Sequence, residues 1–230
     1  MAVHGGNTSS KKVDNRKKLS PVNILSIDFD WIMEPSIEIY NDIVSSEDGP
    51  WAAFQERAPG VKMECSFSKY EDLCTFLGTH TNPRLTSKDI LICNEHHELF
   101  HFIEKINRPF NLYNIDHHHD CGYAVDKEYQ SIETAYQTLG LTCGNWVYAL
   151  AKDHPDLFLS YNWICNYNSV PPINELFTLV PHFMSSRDLQ TIDRIHFDKI
   201  CLCQSSQWIP PEYRPLFRAM LGLFANFINK

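Results

Sequence analysis

No apolar run in the 230-residue sequence reaches membrane-spanning length, so transmembrane helices are not expected. No apolar segment follows the N-terminus, and a secretory signal is not expected either. Cys65, Cys74, Cys93, Cys121, Cys143, Cys165, Cys201 and Cys203 form no CxxC pair and no zinc-ribbon spacing. Most of them sit inside apolar runs, which predicts reduced, buried thiols and a cytoplasmic protein. Internal repeats and low-complexity tracts are also missing. Positive charge is in deficit, with a formal net charge of −8. That deficit is uneven, because residues 1–20 hold Lys11, Lys12, Arg16, Lys17 and Lys18 against Asp14 alone. This basic segment reads as a disordered tail. The rest is more acidic still, which argues against nucleic-acid and membrane partners and for metals or cationic substrates.

What is present points to one α/β domain over residues 21–230. Hydrophobic residues make up 43% of the chain, enough for a sizeable core. Asn23 to Phe29 (NILSIDF) reads as a buried strand from its apolar and β-branched content. Asp89 to Cys93, Phe110 to Ile115, Leu157 to Ile164 and Lys199 to Cys203 read likewise. Helices are predicted over Lys69 to Leu77, around Leu99, Phe100, Ile103 and Ile106, over Glu128 to Leu139, and over Gly144 to Lys152. Arg187 to Ile195 and Tyr213 to Ile228 are predicted as amphipathic helices, the second with Leu216, Phe217, Met220, Phe224 and Phe227 inward. Residues 36–60 and 166–186 read as long loops. Strand alternating with helix predicts a three-layer α/β/α domain with a mostly parallel sheet.

Three short clusters directly follow apolar runs. They are Asp28 and Asp30 in SIDFDW, Glu95, His96 and His97 in NEHHE, and Asp116, His118 and Asp120 in DHHHD. Residues at steps of two share one side of an extended chain, so Asp116, His118 and Asp120 point together, as do Asp28 and Asp30. In a parallel α/β sheet the ligand site lies beyond the carboxyl ends of the strands, where all three clusters fall. Carboxylates gathered there repel one another unless cations lie between them. Oxygen ligands with some imidazole suit Mn²⁺, Fe²⁺, Co²⁺ or Zn²⁺. The ligand set is too large for one catalytic ion with an open position and suits two ions with shared carboxylates.

SIDFDWIMEP is similar to the arginase signature S-F-D-x-D-x-x-D-P, and DHHHD to its companion D-x-H-x-D. Glu95-His96 resembles the acidic-His pair of the same ureohydrolase family. The order is permuted, since the strand that comes last of these in typical arginases comes first here. With the later GNWVYAL and CQSSQWIP, this order resembles a small arginase-related family that includes peptide arginases. Those enzymes convert arginine side chains of ribosomally made precursor peptides to ornithine.

The resemblance implies an arginase-like fold, two Mn²⁺ (or other divalent ions), and an arginine-containing precursor peptide as partner, with urea as co-product. It assigns Asp28 and Asp116 as bridging carboxylates. His96 and Asp120 complete one ion, with His97 as the rival of His96; His118 and Asp30 complete the other. Asp120 or His119 would protonate the leaving amine. Typical arginases place a carboxylate against the guanidinium; Glu34 is the candidate here, with Asn145, Gln204 and Ser205 as substrate contacts. Trp51, Trp163 and Trp208 are either peptide contacts or core. Oligomeric state stays open, a homodimer included. Other readings are a ureohydrolase of free arginine or agmatine, a dimetal phosphoesterase of the Asp-His-His type, and a metal-binding protein without activity. Bulky Trp31 after Asp30 and the lack of a late glycine-rich phosphate motif weigh against the phosphoesterase.

Overall fold

The computed structural model describes residues 20–34, 59, 63–80, 84–122, 131–169 and 176–228. The basic segment, most of the 36–60 loop with Trp51, and the start of the Glu128 to Leu139 helix lie outside them. Strands β1 (Val22–Asp28), β2 (Met33–Glu34), β3 (Glu64–Cys65), β4 (Ile90–Cys93), β5 (Phe110–Ile115), β6 (Phe158–Ile164), β7 (Phe183–Ser186) and β8 (Lys199–Cys203) follow in chain order. Six of them form one sheet in the order β4-β8-β1-β5-β6-β7, parallel at every pairing. β2 and β3 pair antiparallel as a separate ribbon.

Alternate side chains of the sheet feed two cores. Leu25, Ile27, Ile200 and Leu202 pack on one face with Leu73, Phe76 and Leu77 of the helix Phe67–His80 and Phe217, Met220 and Phe224 of the helix Arg214–Ile228. On the other face Ile24, Leu112, Cys201 and Cys203 meet Leu99 and Ile103 of the helix Glu98–Ile103 and Trp146, Val147 and Leu150 of the helix Trp146–Asp153. The helix Ile132–Leu139 adds Ile132 to that layer. The protein is thus a three-layer α/β/α domain. Each fully buried Leu, Ile or Phe contributes about 1.5–3 kcal/mol. Truncating a central one, such as Leu25→Ala, should cost about 2–5 kcal/mol.

The differences from the sequence reading are local. The amphipathic helix predicted over Arg187 to Ile195 is a single 3₁₀ turn, Leu189–Ile192, started by Asp188, whose side chain accepts the Gln190 N–H at 2.8 Å. The expected 166–186 loop contains β7, because Phe183–Ser186 extends the sheet beside β6. Helix Ile132–Leu139 stops at Gly140, whose φ of 72° is open only to residues tolerant of the left-handed region. The cysteines are free thiols. Among the described residues, no helix is long and apolar enough to cross a membrane.

Candidate metal centre

β1 lies between β8 and β5, where the winding of the sheet reverses, and the chain segments leaving β1, β4, β5 and β8 meet above this point. Asp28 closes β1 and also starts a 3₁₀ turn, Phe29–Ile32, by accepting the Asp30 N–H. That turn brings the Asp30 carboxylate back beside Asp28. After β4, Glu98 accepts the N–H groups of Asn94 and Glu95 at 3.1 Å each. The resulting tight bend aims His96 at the centre, while His97 stays at the side with Glu95 at 3.4 Å. After β5, Asp116, His118 and Asp120 follow one another on an irregular segment. Asp120 (φ 51°) and Ser205 (φ 49°) occupy the left-handed region without being glycine, at a cost of about 1–3 kcal/mol each. Both strained residues touch this centre.

The geometry has two parts that share one residue. Nδ1 of His96 lies 3.2 Å from Asp28 Oδ2, 3.0 Å from Asp116 Oδ2 and 2.9 Å from Asp120 Oδ2. Nδ1 of His118 lies 3.0 Å from Asp30 Oδ2 and 3.9 Å from Asp116 Oδ1. Asp28, His96 and Asp116 form one group able to hold a metal ion, and Asp30, Asp116 and His118 form another. Asp116 belongs to both, one oxygen toward each imidazole, whereas Asp28, expected as the second bridging carboxylate, falls in the first group only.

A cation fits this arrangement better than protons do. His96 Nδ1 and Asp30 Oδ2 are buried and make no well-formed hydrogen bond, although each faces groups of opposite sign. Atoms that converge this closely without donor geometry are aimed at a common point rather than at each other. Burial and then the charge of Asp28 push Asp30 up to about 7, against the pull of His118. Burial and the charges of Asp120 and Asp28 push Asp116 up to about 7. Burial opposes a proton on His96, but Asp116, Asp120 and Asp28 outweigh it and hold its pKa well above the usual value. His118 is likewise raised to about 9, chiefly by Asp30 acting against burial. Burial would also raise Asp28, yet His96, Ser205 and the Asp30 N–H hold it below the usual carboxylate range. Without a cation, the carboxylates compete for the two imidazolium charges.

Several contacts that the sequence reading did not assign hold the ligands in place. Ser26 Oγ lies 2.6 Å from His96 Nε2, which leaves Nδ1 as the ligating atom. Trp146 Nε1 donates to Asp120 Oδ2 at 2.6 Å, and Asn114 Nδ2 donates to Asp116 Oδ2 at 3.0 Å. The Trp163 indole donates to the Asp116 carbonyl at 3.1 Å, so Trp163 is core and not a peptide contact. Trp208 is half-buried, with its ring 4.8 Å from His118. A signal for two of these was present. Ser26 precedes Asp28 by two residues and Asn114 precedes Asp116 by two, in register on neighbouring strands.

Other expected site residues have different jobs. Ser205 donates to Asp28 Oδ2 at 2.5 Å and is buried, so it orients a ligand rather than a substrate. Asn145 is buried and spent on the chain itself, accepting the Thr142 N–H and donating to the Gly140 carbonyl, both at 2.8 Å. Gln204 is half-buried beyond β8, its N–H bonded to the Cys93 carbonyl. His119 is buried edge-on to Trp163, and its Nδ1 accepts the Cys121 N–H. Burial and the neighbouring His118 hold its pKa down to about 3, so it has no proton to give as an imidazolium at neutral pH. Glu34 is ion-paired with Lys69 at 3.6 Å and lines an adjoining groove instead of joining the ligand groups. No protein-family model, curated protein or solved structure matches the chain.

Proposed function

We propose that this protein is a divalent-metal-dependent hydrolase that cleaves the guanidinium of arginine residues in a precursor peptide, leaving ornithine and releasing urea. The observation that carries the reading is the pair of ligand groups joined by Asp116 at the carboxyl ends of the central strands. Asp28, His96, Asp116 and Asp120 would hold one ion, and Asp30, Asp116 and His118 the other. Two such divalent ions, Mn²⁺ by the resemblance to arginases, would supply a nucleophile from water at neutral pH and would stabilise the charge that develops during attack.

The chain's own groups supply the rest. The acidic surroundings favour a cationic guanidinium. Ser26, Asn114, Trp146 and Ser205 fix the ligand atoms so that little reorganisation is needed during reaction. The leaving amine needs a proton, and Asp120 is the group assigned to carry it, its Oδ2 positioned by the Trp146 N–H. His119 does not serve, because burial keeps it neutral.

The test is direct. The Mn²⁺-reconstituted protein is mixed in turn with an arginine-containing peptide, free arginine, agmatine and a phosphodiester, and urea, phosphomonoester and product masses are followed. The expected result is urea together with ornithine in the peptide. Peptide kcat/KM should exceed that for free arginine by at least about a hundredfold. Conversion of the diester to a phosphomonoester without urea would replace this reading with a phosphoesterase, and a preference for free arginine or agmatine would remove the peptide.

A further inference from the structure

A groove of about 980 Å³ adjoins the metal centre, and none of the metal ligands lines it. It runs between the helix Phe67–His80 and the segment from Arg187 to Asp193. Its inner end abuts the centre through the chain itself. Trp31, in the groove wall, directly follows Asp30. Asn166 donates to the carbonyls of Trp31 and Met33 at 3.0 and 2.7 Å. Ser169, which accepts the Asn166 N–H, donates to the carbonyl of His117, between two of the ligands. From Lys69 at this end to His80 at the other, eleven helical residues span about 16 Å. That is longer than one amino acid, and the volume is at the upper end of small-molecule pockets.

The groove carries charges of both signs, Lys69 and Arg187 together with Glu34, Asp72, Asp188 and Asp193. At the inner end Lys69 Nζ bonds Asn166 Oδ1 at 2.6 Å and lies 5.8 Å from the centre of the Trp31 ring. Lys69 Nζ and Arg187 Cζ lie 6.0 and 5.5 Å from the centre of the Tyr167 ring, which is 71% exposed. Among the carboxylates, Asp188 starts the 3₁₀ turn by accepting the Gln190 N–H, Asp193 faces His80 at 3.8 Å at the far end, Asp72 lies one helical turn from Lys69, and Glu34 stands 3.6 Å from Lys69. An ammonium has three donors, and the Asn166 oxygen takes one of them. Two cations therefore converge on one exposed aromatic ring beside the centre, and Glu34 is the one carboxylate of the groove within ion-pair distance of Lys69.

We infer that this end of the groove is a carboxylate-binding subsite, in which Lys69 and Arg187 hold an acidic side chain of the substrate beside Tyr167. Resting on the guanidinium reading, it narrows the substrate class to peptides in which an acidic residue neighbours the arginine. Agmatine lacks the carboxylate, and free arginine is too short to span the groove as well as the metal centre.

The experiment uses two pairs of blocked peptides, one with Glu or Gln directly before arginine and one with Glu or Gln directly after it. Binding is measured by calorimetry on the protein without added metal, and turnover on the Mn²⁺-loaded protein. In one of the pairs the Glu peptide should bind about tenfold more tightly than its Gln partner. Arg187→Ala and Lys69→Gln should each bring that pair to a common Kd, with Mn²⁺ content unchanged. Arg218→Ala, an exposed arginine on the C-terminal helix, should leave the preference in place. Equal Kd values within both pairs for the unmodified protein would overturn the subsite. So would a Glu preference that survives in both groove variants. A Glu preference in binding without any urea release would keep the subsite and sink the hydrolase, whereas urea release with no preference would do the reverse.

Discussion

Around His96 every ligand is buried; around His118 the imidazole keeps 14% of its side-chain surface and a half-buried indole stands against it. The two halves use the same residue types. The His96 half is fixed from four sides, by Ser26, Asn114, Trp146 and Ser205. The His118 half leans on backbone N–H groups, with the His117 N–H on Asp30 at 3.3 Å and the His118 N–H on Asp116 at 2.8 Å. Rigid support favours tight, permanent binding of an ion, and a half-open position favours exchange and substrate access. The difference predicts a tightly held ion beside His96 and a looser one beside His118.

The harshest way to break this comparison is to remove what the halves share. Asp116→Ala should lose both ions and all metal-dependent turnover, whereas His118→Ala should keep the ion beside His96, as read by metal content after desalting. Loss of only one ion from Asp116→Ala would show that the halves are independent. His96→Ala should likewise abolish turnover, and His97→Ala should weaken it less, because His97 faces Glu95 and not the carboxylates.

A change of pH sharpens the contrast without mutation. Asp30 and Asp116 are held near 7 and His118 near 9, and each must lose its proton before binding a cation. Mn²⁺ affinity should therefore start to fall as pH drops through about 9 and fall more steeply as it drops through about 7. The metal-free protein has the opposite slope. A carboxyl raised in the fold favours the protonated native state, so stability declines as pH climbs from about 4 towards 7. The raised imidazoles add stability that is present below their unfolded pKa and lost as pH rises through the folded value, which for His118 is about 9. Asp28, held low, gives a contribution that is lost only at acid pH, outside this window. The rise in Tm on adding Mn²⁺ should be larger at pH 8 than at pH 6; the reverse order would mean that these groups do not bind the ion.

Smaller effects come from the supports. Ser26→Ala or Trp146→Phe should weaken the His96 ion by about 10–100-fold while leaving the His118 half less affected. Competition with a chelator measures this, and equal loss in both halves would erase the asymmetry. The least effect on the metal is expected from Asn145→Ala. It should cost about 1–3 kcal/mol of stability, read by denaturant unfolding, because it strands the Thr142 N–H and the Gly140 carbonyl. Metal content should stay unchanged; its loss would return Asn145 to the site.

Legibility in the sequence followed the same divide. Asp28, Asp30, Asp116 and His118 were readable because they sit at steps of two just past apolar strands, and that period survives the move from extended chain to turn. The parallel sheet was readable from alternating elements, and β5 and β8 were placed to the residue. Of the supports, Ser26 and Asn114 left a signal two residues before their aspartates, but Trp146 and Ser205 did not, because Trp146 reaches Asp120 from a separate helix and Ser205 reaches Asp28 only through a left-handed backbone. His119 looked like a catalytic acid because the spacing shows an imidazole but not its burial. The groove was invisible, since Lys69, Tyr167 and Arg187 are brought together by β7, which read as loop.

The shared role of Asp116 is tested most directly by counting Mn²⁺ per chain after reconstitution and exhaustive desalting at pH 8, in the unmodified protein and in His118→Ala. The account predicts about two ions in the first and about one in the second. A single ion in the unmodified protein, or equal content in the two, would contradict it.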